Sequence, residues 1–383
     1  VEKIDEEIFD FVFLNKGNVK EIAKKHKINE RLLKEMRKEF EYFYPVDLRN
    51  SGKDLVQNHL TFYLFHHTAI WEDEKYWPKA IAVNGFVNVA GEKMSKSKGN
   101  VIPLSQLLKE FGSDLTRVNI ISSAEGLSDA DWRGGNVKVF LSRINFLFEL
   151  IQEMRKARFS KTRNVDLFLK SKINKIAKDV ENAYEQLKFK TASQLLFFEF
   201  LNDLDWYLKR VGKIENANKE TLRYCLERFV ILVSPLIPHI AEEFWRMLGK
   251  RNFVFEAGYP KVEKIDEKAI KMEEFVSKVL EDIREIKKIT KAEPKEIYII
   301  VSADWKFEVC DKIKKGLKIE EILKGFEEKE EVVKFFNKVA KISEEPLSKK
   351  QQMKILKEAR EFFEREEKCK VYIVEEERTQ IEK

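Results

Sequence analysis

From Asn136 onward apolar residues recur at three- and four-residue intervals: Val137, Phe140, Leu141, Ile144, Leu147, Phe148, Ile151 and Met154. This spacing puts them on one face of a long helix, and a stripe of that length has to be covered by other elements. Ile173, Ile176, Val180, Ala183 and Leu187 mark a second helix, 191–208 a third and 220–233 a fourth. Pro235 and Pro238 interrupt the pattern, and Pro238 is placed to open a fifth helix running through Trp245. Long helices with short connections predict an antiparallel bundle. Trp206, Trp245, Phe197 and Phe198 read as its core.

The two flanks follow different rules. Residues 1–40 read as short amphipathic helices, with Ile22, Ala23 and His26 on one face, and with Asn29 capping a helix that carries Leu32, Leu33, Met36 and Phe40. His26 has no second metal ligand beside it. An extended stretch from Tyr44 to Arg49 then meets Ser51-Gly52-Lys53-Asp54 and a helix from Leu55 to Ile70, half of a βαβ unit. Asp54 is either a helix N-cap or an acceptor for a ribose. His59, His66 and His67 project in different directions and predict no metal site. Ala80–Val83 and Phe86–Val89 around Asn84-Gly85 read as a hairpin with a type I′ turn. A helix from Pro103 to Phe111 is stopped by Gly112. After an aromatic linker at 253–260, a charged helix from Glu267 to Thr290 turns Phe275, Val276, Val279, Leu280, Ile283 and Ile286 inward. Strands at 295–302 and 370–374 enclose helical pieces, a small α+β module.

Between these flanking elements lies Gly91-Glu92-Lys93-Met94-Ser95-Lys96-Ser97-Lys98-Gly99-Asn100. Glycines let the loop hinge, the lysines are compact point charges, and the hydroxyls are orientable donors. That composition suits a polyphosphate that changes shape, and equally a solvated surface loop.

Lys93-Met94-Ser95-Lys96-Ser97 is identical to the KMSKS motif of class I aminoacyl-tRNA synthetases. The run from Tyr44 to Leu55 with Asn58-His59-Leu60, Ala90-Gly91-Glu92 before the loop, and Ser128-Asp129-Ala130-Asp131-Trp132 after it resemble leucyl-tRNA synthetases of the archaeal and eukaryotic cytosolic type. Ser234 to Trp245 is similar to the closing helix of the anticodon-binding bundle in the valyl, isoleucyl, leucyl and methionyl subgroup, where His239 is structural. The resemblance implies a multidomain, mainly α fold. Residues 1–135 would be the C-terminal half of a Rossmann-like catalytic domain, 136–250 the anticodon-binding bundle, and 251–383 a linker helix with an α+β tRNA-binding module. It implies catalytic and ATP-binding roles for Lys93 and Lys96, with Met94, Ser95 and Ser97 shaping the nucleotide site. Adenylate contact falls to Gly52 and Asp54, and amino-acid pocket contact to His59. ATP with Mg²⁺, leucine and tRNA(Leu) are the implied substrates.

No stretch matches the HIGH motif that such an enzyme needs, since His59-Leu60-Thr61-Phe62 and His66-His67-Thr68-Ala69 differ from it. No editing domain is visible either, and the first residue is Val1. The expectation is a C-terminal half or subunit that needs an N-terminal partner carrying the HIGH motif and the editing domain. A non-catalytic tRNA-binding module, or a valyl or isoleucyl relative, are the alternatives. A net charge of +6, from 72 basic and 66 acidic residues, permits nucleic-acid contact through local basic faces without requiring it. Cys225, Cys310 and Cys369 are widely spaced, which argues against a zinc knuckle or disulfide framework and fits a reducing cytoplasm. No run approaches the length of a membrane-spanning helix.

Overall fold

A computed structural model describes residues 4–339 and 347–376; the ends of the expected first and third segments, and residues 340–346, lie outside it. The chain divides into two compact units. One runs through Val137 and takes in Leu187–Thr191, and the other comprises Lys138–Gln186 and the described residues from Ala192 on.

The first unit begins with helices Glu6–Leu14, Val19–His26 and Glu30–Phe43, whose first amides are capped by the side chains of Asp5, Asn18 and Asn29. Each cap satisfies an amide that the helix itself leaves unpaired. Ile8, Phe11, Ile22, Leu33 and Phe40 form their core, with Trp71 packed in. Of the apolar residues that the third helix carries, Leu33 and Phe40 are buried and Leu32 is 50% exposed. His26 lies between two carboxylates, Nδ1 3.0 Å from Asp5 and Nε2 3.0 Å from Glu7.

Strand β1 (Arg49–Gly52) pairs in parallel with β2 (Ile81–Asn84), Gly52 opposite Asn84. The crossover holds a 3₁₀ turn at Lys53–Leu55, a π turn at Val56–Leu60 and the helix Thr61–Ile70. The half βαβ unit read from the sequence is thereby a whole one. The hairpin expected at Asn84-Gly85 is not formed. Strand β3 (Val87–Val89) instead lies between β4 (Glu92–Lys93), antiparallel, and β5 (Ala130–Trp132), parallel. The β3–β4 hairpin turns at Ala90 and Gly91, with φ of 51° and 82°, the pair of positive angles that a type I′ turn demands. Gly112, at φ 77° and ψ 172°, does break the helix that starts at Leu104, but the chain resumes helix beyond it to Ile121.

In the second unit the bundle helices are Asn164–Glu185, Lys219–Val233 and Pro238–Met247, with Pro238 in the first turn. The helix Phe189–Gln194, whose first residues count with the first unit, runs through a π turn at Leu195–Phe200 into Leu201–Val211. Leu169, Ile173, Phe197, Phe200, Tyr207 and Phe229 are fully enclosed, and Trp245 is buried. The helix Glu267–Thr290 packs against Asn164–Glu185 and against Lys349–Glu367. Val276, Leu280 and Ile283 are buried as expected, whereas Ile286 is 60% exposed. Strand β6 (Glu296–Val301) pairs in parallel with β7 (Lys370–Glu375), and Val301 and Val371 join Phe362 and Phe363 in the core beneath them.

Candidate active site

The lysine loop is rooted by its turn. The Gly91 amide donates to Asp131 Oδ1 at 2.7 Å and the Ala90 amide to Trp132 O at 3.3 Å, tying the β3–β4 hairpin to β5. That amide, followed by the guanidinium of Arg133, holds the Asp131 carboxyl below the usual carboxylate range. Beyond β4, Asn100 closes the loop. Its Oδ1 accepts the Ser95 amide at 2.8 Å, and its Nδ2 donates to Lys93 O at 3.1 Å. The hydroxyls of Ser95 and Ser97 pair with each other at 2.7 Å, and Lys98 reaches Glu92 at 3.2 Å.

The lysines differ. Lys93 Nζ stands 4.2 Å from the centroid of the Phe86 ring, a cation–π contact. Lys96 is exposed and has no partner among the described residues. An ammonium group without an internal partner is the one most readily given to an incoming anion.

The end of β1 meets the root of this loop. Lys53, directly after Gly52, pairs with Asp129 and places its Nζ 4.8 Å from the same Phe86 ring. Asp129 Oδ1 also accepts the Phe86 amide at 2.8 Å. The Lys53 hydrogen bond and then the Phe86 amide keep the Asp129 carboxyl below its ordinary range. Gly85 makes the approach possible: a Cβ there would fall 2.2 Å from Ser128 O.

Asp54 caps no helix. It is exposed, without a hydrogen bond or ion pair among the described residues, and Oδ1 lies 2.7 Å from where a Gly52 Cβ would be. A side chain at position 52 would therefore crowd the carboxylate. The carboxylate thus keeps all its acceptor capacity. His59 is exposed, with Nε2 3.4 Å from Arg49 Nη2, while His66 Nδ1 and His67 Nδ1 each sit 2.7 Å from a carbonyl one turn back. The three rings do not converge, and no group of three metal-ligating side chains occurs among the described residues. Gly52, Asp54 and Lys93 are thus brought to one neighbourhood through Lys53 and Phe86, while the side chains of Lys96 and His59 share no hydrogen bond, ion pair or ring contact with them. Sequence reading missed Lys53, Phe86 and Asp129. Asp129 stood inside a noted run, but no local pattern signals a ring shared by lysines forty residues apart.

Residues 7–133 match the family described as class I tRNA synthetases (I, L, M and V), and residues 166–299 match the anticodon-binding domain of tRNA ligase. The leucine–tRNA ligase of Pyrococcus horikoshii is 40% identical over 95% of this chain and 39% of its own length. Those of Archaeoglobus fulgidus and Methanocaldococcus jannaschii are 36% and 38% identical, over 93% and 95% of this chain and 37% and 39% of theirs. A solved leucyl-tRNA synthetase from Agrobacterium radiobacter, in a ternary complex with tRNA and LeuAMS, aligns with a TM-score of 0.49 at 23% identity over 59% of this chain and 29% of that one. The chain thus spans about two fifths of the length of the curated relatives it matches. With the KMSKS sequence on a loop rooted beside a βαβ unit, followed by an anticodon-binding bundle, the chain belongs to the class I tRNA synthetases, and its relatives there are leucine–tRNA ligases.

Proposed function

We propose that the chain supplies the phosphate-gripping loop and the tRNA-binding helices of a cytoplasmic leucine–tRNA ligase. In the reaction a leucine carboxylate oxygen bonds to the α-phosphorus of ATP, and the bond to pyrophosphate breaks. The leucyl group then passes from the adenylate to a ribose hydroxyl of tRNA(Leu), and AMP leaves. Such a step asks little covalent work of side chains and much charge stabilisation. The observation that carries this reading is the pair Lys93 and Lys96 on a glycine-hinged loop beside the ends of two parallel strands, where α/β folds bind ligands. Lys96 and Lys93 neutralise charge spreading onto phosphate oxygens, and Mg²⁺ arrives with ATP as part of the substrate. Ser95, Ser97 and Met94 keep the loop in shape. Gly52 leaves room for the adenylate, Asp54 accepts from its ribose, and His59 borders the leucine pocket.

Residues 1–135 act in this reading as the C-terminal half of the catalytic domain, 136–250 as the anticodon-binding bundle, and 251–383 as the module against the tRNA. The chain works with a complementary segment holding the HIGH motif and the editing domain, which the greater length of the relatives supports. Lys96→Ala is expected to cut leucine-dependent ATP–pyrophosphate exchange by about a hundredfold or more, given what lost transition-state contacts cost, with leucine binding unchanged. The assay uses the chain with its complementary segment, and exchange with valine and isoleucine is measured alongside. Unaltered exchange in the variant sinks the loop assignment. Absence of exchange with any amino acid favours a tRNA-binding module.

A further inference from the structure

Lys53 and Lys93 bring two ammonium groups to the one ring of Phe86, at 4.8 and 4.2 Å from its centroid. A ring face attracts a cation, but two cations beside one ring repel each other. The counter-charge is Asp129, which pairs with Lys53 and accepts the Phe86 amide. It also responds to Lys93, whose charge lowers the Asp129 carboxyl further, behind Lys53 and the Phe86 amide. The frame is rigid on one side, since at Gly85 even a Cβ would collide with Ser128 O and Asp129 Oδ1. Lys53 is held by its ion pair with Asp129, whereas Lys93, its backbone paired with Asn88 in β4, has an exposed side chain with no ion pair among the described residues and leads into the loop that Gly99 closes at positive φ. Lys93 is the member free to leave.

We propose that Asp129 is a positioning residue for Lys93: by neutralising Lys53 and fixing Phe86, it parks the Lys93 ammonium on the ring until an incoming polyphosphate draws it off. Lys53 stays with Asp129 throughout. The inference rests on the loop's proposed phosphate role, and it predicts effects of opposite sign. Neutralising Asp129 leaves Lys53 and Lys93 facing each other without a counter-charge, so Lys93 leaves the ring. Neutralising Lys53 frees Asp129 for Lys93, so Lys93 is held more firmly. A residue that merely held the fold together would loosen the loop in both variants.

Limited trypsin digestion of the full chain reads this directly. Cutting after Lys93 requires its side chain in the protease's specificity pocket and therefore off Phe86. Cutting after the unpartnered Lys96 is the internal reference, because general unfolding raises both. In Asp129→Asn, whose amide oxygen still accepts the Phe86 amide, the ratio of Lys93 to Lys96 cuts is expected to rise about two- to fivefold, as for loss of an exposed cation–π contact. In Lys53→Met it is expected to fall. An unchanged ratio in Asp129→Asn, or a raised one in Lys53→Met, overturns the proposal. If Asp129→Asn fails to fold, Phe86→Leu replaces it with the same expected rise. Since no nucleotide is present, the result is independent of the pyrophosphate-exchange test of the loop.

Discussion

Asp203 sits in the bundle with only 16% of its side chain exposed, and burial pushes its carboxyl up to about 6, despite Lys172 at 3.4 Å. Glu199 and Glu274 add to the rise. In the folded chain the carboxyl gives up its proton at higher pH than in the unfolded chain. The folded state therefore binds the proton more tightly, and the stabilising contribution is complete below pH of about 4. It is lost as the pH climbs through about 6 and stays lost above. Asp203→Asn removes the titration. The variant is expected to be more stable than the parent at neutral pH, by up to about 3 kcal/mol, with the gain shrinking to nothing near pH 4. Urea unfolding followed by circular dichroism across that range checks it. A variant less stable at neutral pH would mean that Lys172 outweighs burial.

Helix Glu267–Thr290 is locked to two bundle helices by one buried acid. Glu273 accepts from Arg210 Nε at 2.8 Å, Trp206 Nε1 at 3.2 Å and Asn164 Nδ2 at 3.1 Å, and its side chain and that of Arg210 are almost wholly enclosed. Breaking such a pair from one side strands a charge, at a cost of about 3–5 kcal/mol, while replacing both partners by apolar residues is often close to neutral. Glu273→Ala is expected to destabilise the second unit by that amount, and Arg210→Met with Glu273→Leu by much less. Equal losses in urea unfolding would show that packing, and not the stranded guanidinium, sets the cost. The helices joined here were legible in the sequence, because three-and-four periodicity is a local signal that burial then obeys. The strands were less so. Asn84-Gly85 has the composition of a type I′ turn, yet Gly85 is needed for close approach to Ser128, and the turn forms at Ala90-Gly91. Pairing of β3 with β5, more than forty residues away, overrode the nearer signal. For the same reason the loop lysines were readable as a motif, and their companions Lys53, Phe86 and Asp129 were not.

At the scale of the molecule, the two units differ in how well they cover themselves. No helix among the described residues is long and apolar enough to cross a membrane. Yet Thr61–Ile70 carries no Asp, Glu, Lys or Arg and buries only His67, with Phe62 59% and Phe65 64% exposed. A helix apolar on all sides is ordinarily enclosed, and a parallel sheet ordinarily has both faces covered. β1 and β2, which this helix connects, form a two-stranded parallel sheet. In the proposed function, the complementary segment of the longer relatives covers both. The chain alone is then expected to bind the dye 8-anilinonaphthalene sulfonate, and the complementary segment to suppress that signal. Phe62→Asp with Phe65→Asp, both at exposed positions, is expected to leave the melting temperature nearly unchanged and to lower dye binding. Burying two such rings contributes about 3 kcal/mol or more, so the double variant is expected to bind the segment at least about a hundredfold more weakly. Exchange activity is then restored only at correspondingly higher segment concentration. If the double variant restores exchange at the parent's concentration, this helix is not where the segment docks.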